Sequence, residues 1–290
     1  MKIQRPGYSE STILCLDYIF RNFIQYLDYE QQKLLKKGMQ KNLSWLFTTS
    51  GFYDKSISIV GSKRLKKTNL MQFSECLYEH DTVKKFISTY SRSIKDSNRC
   101  KFLLHKMIPE FFDRGYVDKF KDSLNVESEI FPLTNKKFYY QLIRDKRLLV
   151  INSFASLCSN QYINGNLRKI DPDFPRLSNI DHIDTPYSFF NKGPHSNWFE
   201  TLDYMRNKVQ EKKFDLAIIG YGSYSAPLCH FIHSEMKLDA ICAGSFTNKL
   251  FGVDPDAKGE FYINNIPRRF IPANYLDIEN GRYWIGNKPK

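Results

Sequence analysis

A parallel α/β sheet covered by helices on both faces is the fold class that the sequence predicts, on three observations. From residue 134 onward, helix-like stretches alternate with short apolar runs: "LLVINSF" at 148–154, "FDLAIIG" at 214–220 and "LDAICAGS" at 238–245. Those runs are apolar almost throughout, as in strands buried on both faces. Each run also ends in Asn-Ser or Gly, where a strand opens into a turn and ligands are expected at the carboxyl end.

The elements follow in order. Residues 12–47 carry a helical stripe of Leu16, Ile19, Phe20, Phe23 and Leu27 ahead of the basic turn "KLLKKGMQK" around Gly38. Residues 1–54 therefore read as a helical N-terminal layer packed on a core domain of residues 55–290. "SISIVGS" at 56–62 suits a first strand, followed by a helix with Leu70, Phe73, Leu77 and Tyr78. Residues 82–122 read as mostly helical, broken around Pro109 and Gly115. "NKKFYYQLIRDKR" precedes the 148–154 strand as a helix, and "ASLCSNQYINGNLRKI" follows it as another. A polar loop with Pro172, Pro175, Pro186, Gly193 and Pro194 then leads to a helix from about Ser196.

Composition narrows the class. At 290 residues, with 42% hydrophobic and 15% aromatic content, the chain has apolar surface enough for a sizeable core. It has no signal-peptide pattern and no run of about 18 apolar residues, so the expectation is a soluble, cytoplasmic protein without a transmembrane segment. The six cysteines show no CxxC pairing and read as buried free thiols. A net charge of +12, from 43 Lys and Arg against 31 Asp and Glu, favours anionic ligands. Nucleic acid ranks last among these, because no aromatic-basic recognition motif accompanies the charge.

The segment 214–245 resembles a nucleotide-binding strand-turn-helix. Gly220 and Gly222 follow an apolar strand, where bare backbone can approach a phosphate. Ser225 stands where a dinucleotide fingerprint has its third glycine, and "LDAICAGS" ends without an Asp or Glu for a ribose. A nicotinamide or flavin site is thereby disfavoured. Three strand ends converge instead on an uncharged polar cradle of Ser153, Ser156, Gln161, Ser223, Tyr224, Ser245 and Asn248.

"LLVINSFASLCSNQ", "NWFETLDYM", "FDLAIIGYGSYSAPL", "GSFTNKLFGV" and the ending "IENGRYW" together resemble proteins with a glycosyltransferase-D-like (GT-D-like) fold, over about residues 56–284. The resemblance implies a Rossmann-like sheet and transfer of a sugar from a nucleoside diphosphate sugar to a glycan acceptor. It points to Gly220, Gly222, Tyr224, Pro227 and Leu228, to Gly244, Leu250, Phe251 and Gly252, and to Gly281, Tyr283 and Trp284. It also implies a divalent cation, Mn²⁺ or Mg²⁺, held by an acidic pair after the first strand. Here that stretch reads Gly61-Ser62-Lys63-Arg64, without a carboxylate. Arg64 and its lysine neighbours could neutralise a diphosphate without metal, or the chain could bind without catalysing.

Other constellations are weaker. Cys229 and His233 share one helix face, too few for a zinc site. Asp277 and Glu279 are candidates for a metal or acceptor contact, and Asp181, His182 and Asp184 fall in the polar loop near a site mouth. No catalytic base is assigned.

Overall fold

A computed structural model of the chain describes residues 1–57, 78, 80–102, 104, 114–127, 135–186, 188 and 193–253. The strand expected at 56–62, the basic stretch with Arg64, the Gly281–Trp284 motif, and Asp277 and Glu279 lie wholly or almost wholly outside these residues.

Six strands make one sheet: β1 (Lys2–Gln4), β2 (Arg99–Cys100), β3 (Arg147–Asn152), β4 (Asn179–Asp184), β5 (Leu216–Gly220) and β6 (Asp239–Cys242), in the order β2-β1-β6-β5-β3-β4. Every pairing is parallel. The expected α/β, Rossmann-like architecture is therefore present, and all strand carboxyl ends share one edge. Ten helices surround the sheet among the described residues: α1 (Tyr8–Phe23), α2 (Tyr29–Thr49), α3 (Asp81–Ile94), α4 (Arg114–Asp122), α5 (Lys136–Ile143), α6 (Ala155–Ile163), α7 (Asn166–Ile170), α8 (Trp198–Gln210), α9 (Ser225–Ser234) and α10 (Phe246–Leu250).

The strand period of two explains why helices are needed on both faces. Leu149, Ile151, Ala217, Ile219, Ala240 and Cys242 join the core formed with α1, α2, α3, α8 and α9. Their neighbours Leu148, Val150, Leu216, Ile218 and Ile241 join a second core with α5, α6, α7 and α10. Full burial of each Leu, Ile or Val side chain among them stabilises the fold by about 1.5–3 kcal/mol. Trp198 anchors the first core, with no exposure, against Phe52, Phe86 and Tyr224.

Local signals fix the boundaries. Asp28 and Gln31 form a reciprocal capping box at the start of α2. The α1 stripe ends at a short 3₁₀ turn, Ile24–Tyr26, and the break falls there and not at "KLLKKGMQK" around Gly38, which lies inside α2 instead of forming the expected turn. Gly165, at φ +70°, separates α6 from α7. Three strands depart from the sequence expectation. β4 lies inside the stretch read as a polar loop, since Asn, Asp and His alternate there with Ile180 and Ile183 on an edge strand. β1 and β2 are only three and two residues long, and β1 places the chain's first residues inside the sheet between β2 and β6.

The topology reverses between β3 and β5. After β3 the chain crosses through α6 outward to β4; after β5 it crosses through α9 the other way to β6, on the opposite face. Such a switch point leaves a crevice at the carboxyl ends of the two strands, the usual ligand position of open parallel sheets.

Candidate functional site

The register sets one level across the carboxyl edge. Asn152 stands opposite both Gly220 and Asp184, while Ala243 follows the paired Cys242 and Arg5 comes two residues after the paired Ile3. Turns after β1, β6, β5 and β3 thus lie side by side. From β1 to β3 the edge spans three strand spacings, about 14 Å.

The β5 turn is closely packed by the chain itself. A Cβ on Gly220 would stand 2.6 Å from Gly244 O and 2.8 Å from Thr247 Oγ1. Gly222, at φ +47°, would put one 2.6 Å from Ser50 O, which accepts a hydrogen bond from Ser223 N. These glycines admit backbone and side chain of the same molecule. The Ser223 hydroxyl, wholly buried, accepts a 2.9 Å bond from Trp198 Nε1. Tyr224 is sandwiched between Trp198 and Tyr221, whose hydroxyl donates to Pro186 O. Both side chains are therefore part of the core beneath the edge.

The flanking turns are more open. Ser153 is exposed beside Thr185, with 3.0 Å between their hydroxyls, and Ser245 is exposed at the start of α10. Asn248 is half-buried, and its Oδ1 has no hydrogen-bond partner among the described residues. Thr247 Oγ1 and Gln161 Oε1 are also buried without partners there, while Gln161 Nε2 donates to Gly252 O. Gly244, at φ +57°, lies under Arg5: a Cβ would come within 2.6 Å of Nη1, which donates to Ala243 O at 3.3 Å. Arg5 is half-buried, and its Nε is buried without a partner among the described residues.

Glu10, in the first turn of α1, is 3% exposed and packs on Gly7. Burial pushes its carboxyl up to about 7, against the pull of its own amide, the Ser50 hydroxyl and the Arg5 charge. Other carboxylates here are engaged. Asp184 accepts from Ser156 N at 2.8 Å, closing the amino end of α6. Asp54 accepts from Ser56 and Thr82, which outweigh its burial and lower its pKa. Asp181 lies on β4 instead of in a loop and pairs with Lys212 at 3.1 Å. Among the described residues no group of three His, Cys, Asp or Glu side chains could hold a metal ion.

The structure thus brings Ser153, Gly220, Gly222, Gly244, Ser245 and Asn248 to one edge, with Ser223 and Tyr224 buried below it. Gln161 lies deeper, against the Gly252 turn. Arg5, Glu10 and Thr247 were not foreseen; the signal for the first two was a Pro6-Gly7 turn between short β1 and the α1 stripe.

Fold and edge together define an α/β protein with a Rossmann-like parallel sheet and a polar edge at its switch point. Comparison with known protein families, with curated proteins and with solved structures finds no match to the chain. No helix among the described residues is long and apolar enough to cross a membrane.

Proposed function

We propose that the chain binds a nucleoside diphosphate sugar along the carboxyl edge of the sheet and transfers the sugar to a glycan acceptor. The observation that carries the reading is the row of turns from Arg5 to Ser153. An elongated, partly anionic ligand suits an edge about 14 Å long with a guanidinium near one end and hydroxyls at the other. Ser245 and Asn248 lie between these ends, where they could bond uncharged ribose or phosphate oxygens. The GT-D-like sequence motifs supply the choice of a sugar nucleotide over other anions.

A second reading, binding without transfer, is favoured by the engagement of Asp184 and Asp54 with the chain's own donors. Asp54 accepts through both carboxylate oxygens and Asp184 through Oδ1, which lowers their readiness to take a proton from an acceptor hydroxyl. One experiment serves both. Thermal unfolding against UDP, GDP, CMP and dTDP sugars, each with and without Mn²⁺, should show a selective stabilisation by one nucleotide class. A ligand at 100 times its Kd adds about 2.7 kcal/mol. Stabilisation with sugar release favours transfer, and stabilisation without release favours binding alone. No response to any sugar nucleotide overturns both readings.

A further inference from the structure

The turn after β1 holds a charge that makes no ion pair among the described residues. None of the ion pairs among the described residues includes Arg5. Its guanidinium is held over Gly244 by a bond to Ala243 O, with Nε buried and without a partner among the described residues. A fork fixed in this way presents its remaining N–H groups to an anion at little further entropic cost.

Several backbone sites that commonly take phosphate at such an edge are engaged by the chain itself. Asp184 takes the Ser156 amide at the start of α6, Asn197 caps α8 through Phe199 N and Glu200 N, and His80 caps α3 through Thr82 N. The turn before α9 gives its Ser223 and Tyr224 amides to Ser50 O and Tyr221 O. α1 and α10 begin without a side-chain cap, so it is the charge at Arg5 that sets its turn apart as an anion site.

Glu10 lies against the same turn. It is faced by Arg5 from the β1–α1 turn, by Ser50 from the end of α2, by Tyr90 from α3 and by Cys242 from β6. Burial raises the pKa of both Tyr90 and Cys242, leaving Arg5 as the charged neighbour. We propose that Arg5 is the phosphate anchor of this edge and that Glu10 is its buried counter-charge, so that a bound phosphate and an ionised Glu10 compete for one guanidinium. The inference rests on the phosphate-ligand reading of the edge and adds the residue that holds the phosphate. With the Glu10 carboxyl titrating near 7, phosphate binding takes up a proton there, and affinity rises as pH falls from 8 to 6.

Titration calorimetry of the full chain with inorganic pyrophosphate, at pH 6 and pH 8, tests this. Arg5→Gln is expected to weaken binding about tenfold or more, the loss of one charge-assisted contact. Arg5→Lys keeps the charge without the fork and should weaken it less; it also guards against a misfolded Gln variant. Glu10→Gln should bind at both pH values and lose the pH dependence beyond that of pyrophosphate itself. Wild-type affinity in a folded Arg5→Gln protein, or no binding by the wild type, overturns the anchor. An unchanged pH dependence in Glu10→Gln overturns the counter-charge. If pyrophosphate binds through Arg5 while no sugar nucleotide does, the anchor stands and the glycosyl-transfer reading falls. If sugar nucleotides bind equally to wild type and Arg5→Gln, the reverse holds.

Discussion

Two turns at the same edge of the sheet differ in what they keep close. The β5 turn has the conspicuous glycines, yet Gly220 and Gly222 are crowded by Gly244, Thr247 and Ser50 of the same chain. The β1 turn has a less conspicuous sequence, Arg5-Pro6-Gly7, yet it carries a guanidinium with no ion pair and an unpartnered Nε among the described residues, and it lies against the buried Glu10 carboxyl. Glycine after a strand reports that something approaches the backbone; it does not report whether that is a ligand or another part of the protein. Charge without a partner is the stronger pointer to an anion, because a half-satisfied guanidinium is costly to hold away from water.

The largest expected effect tests the packing side of this contrast. Gly222→Ala should destabilise the fold by about 3 kcal/mol, combining a left-handed backbone with a Cβ driven onto the Ser50 carbonyl. Gly165→Ala is the control: its φ is +70° but nothing lies within 4 Å of the added carbon, so about 1 kcal/mol is expected from backbone strain alone. Urea unfolding of both variants separates the two costs. Equal losses would mean that the β5 turn has room to spare, and its glycines would again be open to a ligand.

The β1 turn should show itself through pH. Glu10 has an ordinary value of 4.5 and is raised to about 7 in the folded chain, so the folded state holds a proton that the unfolded state releases over that window. Its stabilising share is complete below pH 4.5, declines as pH rises and is gone just above 7, a loss of about 3 kcal/mol. Glu10→Gln lacks this titration. Its stability relative to wild type, from unfolding at pH 5 and pH 8, should therefore rise toward the higher pH. A difference that stays constant between those pH values would mean that Glu10 is ionised in the folded protein throughout.

The same contrast explains which parts of the molecule were legible in its sequence. β3, β5 and β6 are readable because Leu148–Ile151, Leu216–Ile219 and Ala240–Cys242 are continuously apolar and buried on both faces. β1 is not, because Lys2 and Gln4 are polar residues made compatible with burial by tertiary contacts. Lys2 Nζ donates to the Ser93 and Lys95 carbonyls, and Gln4 Nε2 to those of Ser93 and Ala226. β4 is hidden by its edge position, where polar residues are tolerated on a strand. The convergence of the Gly220, Gly244 and Ser153 turns was readable from successive apolar strands of one parallel sheet, each ending in a turn of small residues. The roles of Ser223 and Tyr224 were not, since only the folded chain brings Trp198 across to meet them. Arg5 and Glu10 escaped notice because short, polar β1 does not announce the turn that follows it.

The smallest effect makes the sharpest comparison between backbone and side-chain anion sites. α6 has Phe154 at its N-cap, without a side-chain cap of its own, and Asp184 reaches across from β4 to bond Ser156 N. Asp184→Ala should cost about 1 kcal/mol, the worth of a helix cap and its charge at the positive end of the dipole. It should also bare the α6 amides at the switch point. If pyrophosphate is held at Arg5, three strands away, its affinity in Asp184→Ala should change little at ordinary ionic strength, because about 14 Å exceeds the Debye length of roughly 8–10 Å. A gain of tenfold or more would instead place the phosphate at the start of α6, with Asp184 as the group that excludes it in the wild type. The position of the anion along the edge would then move from β1 to β3, and with it the end of the sugar nucleotide that each turn must hold.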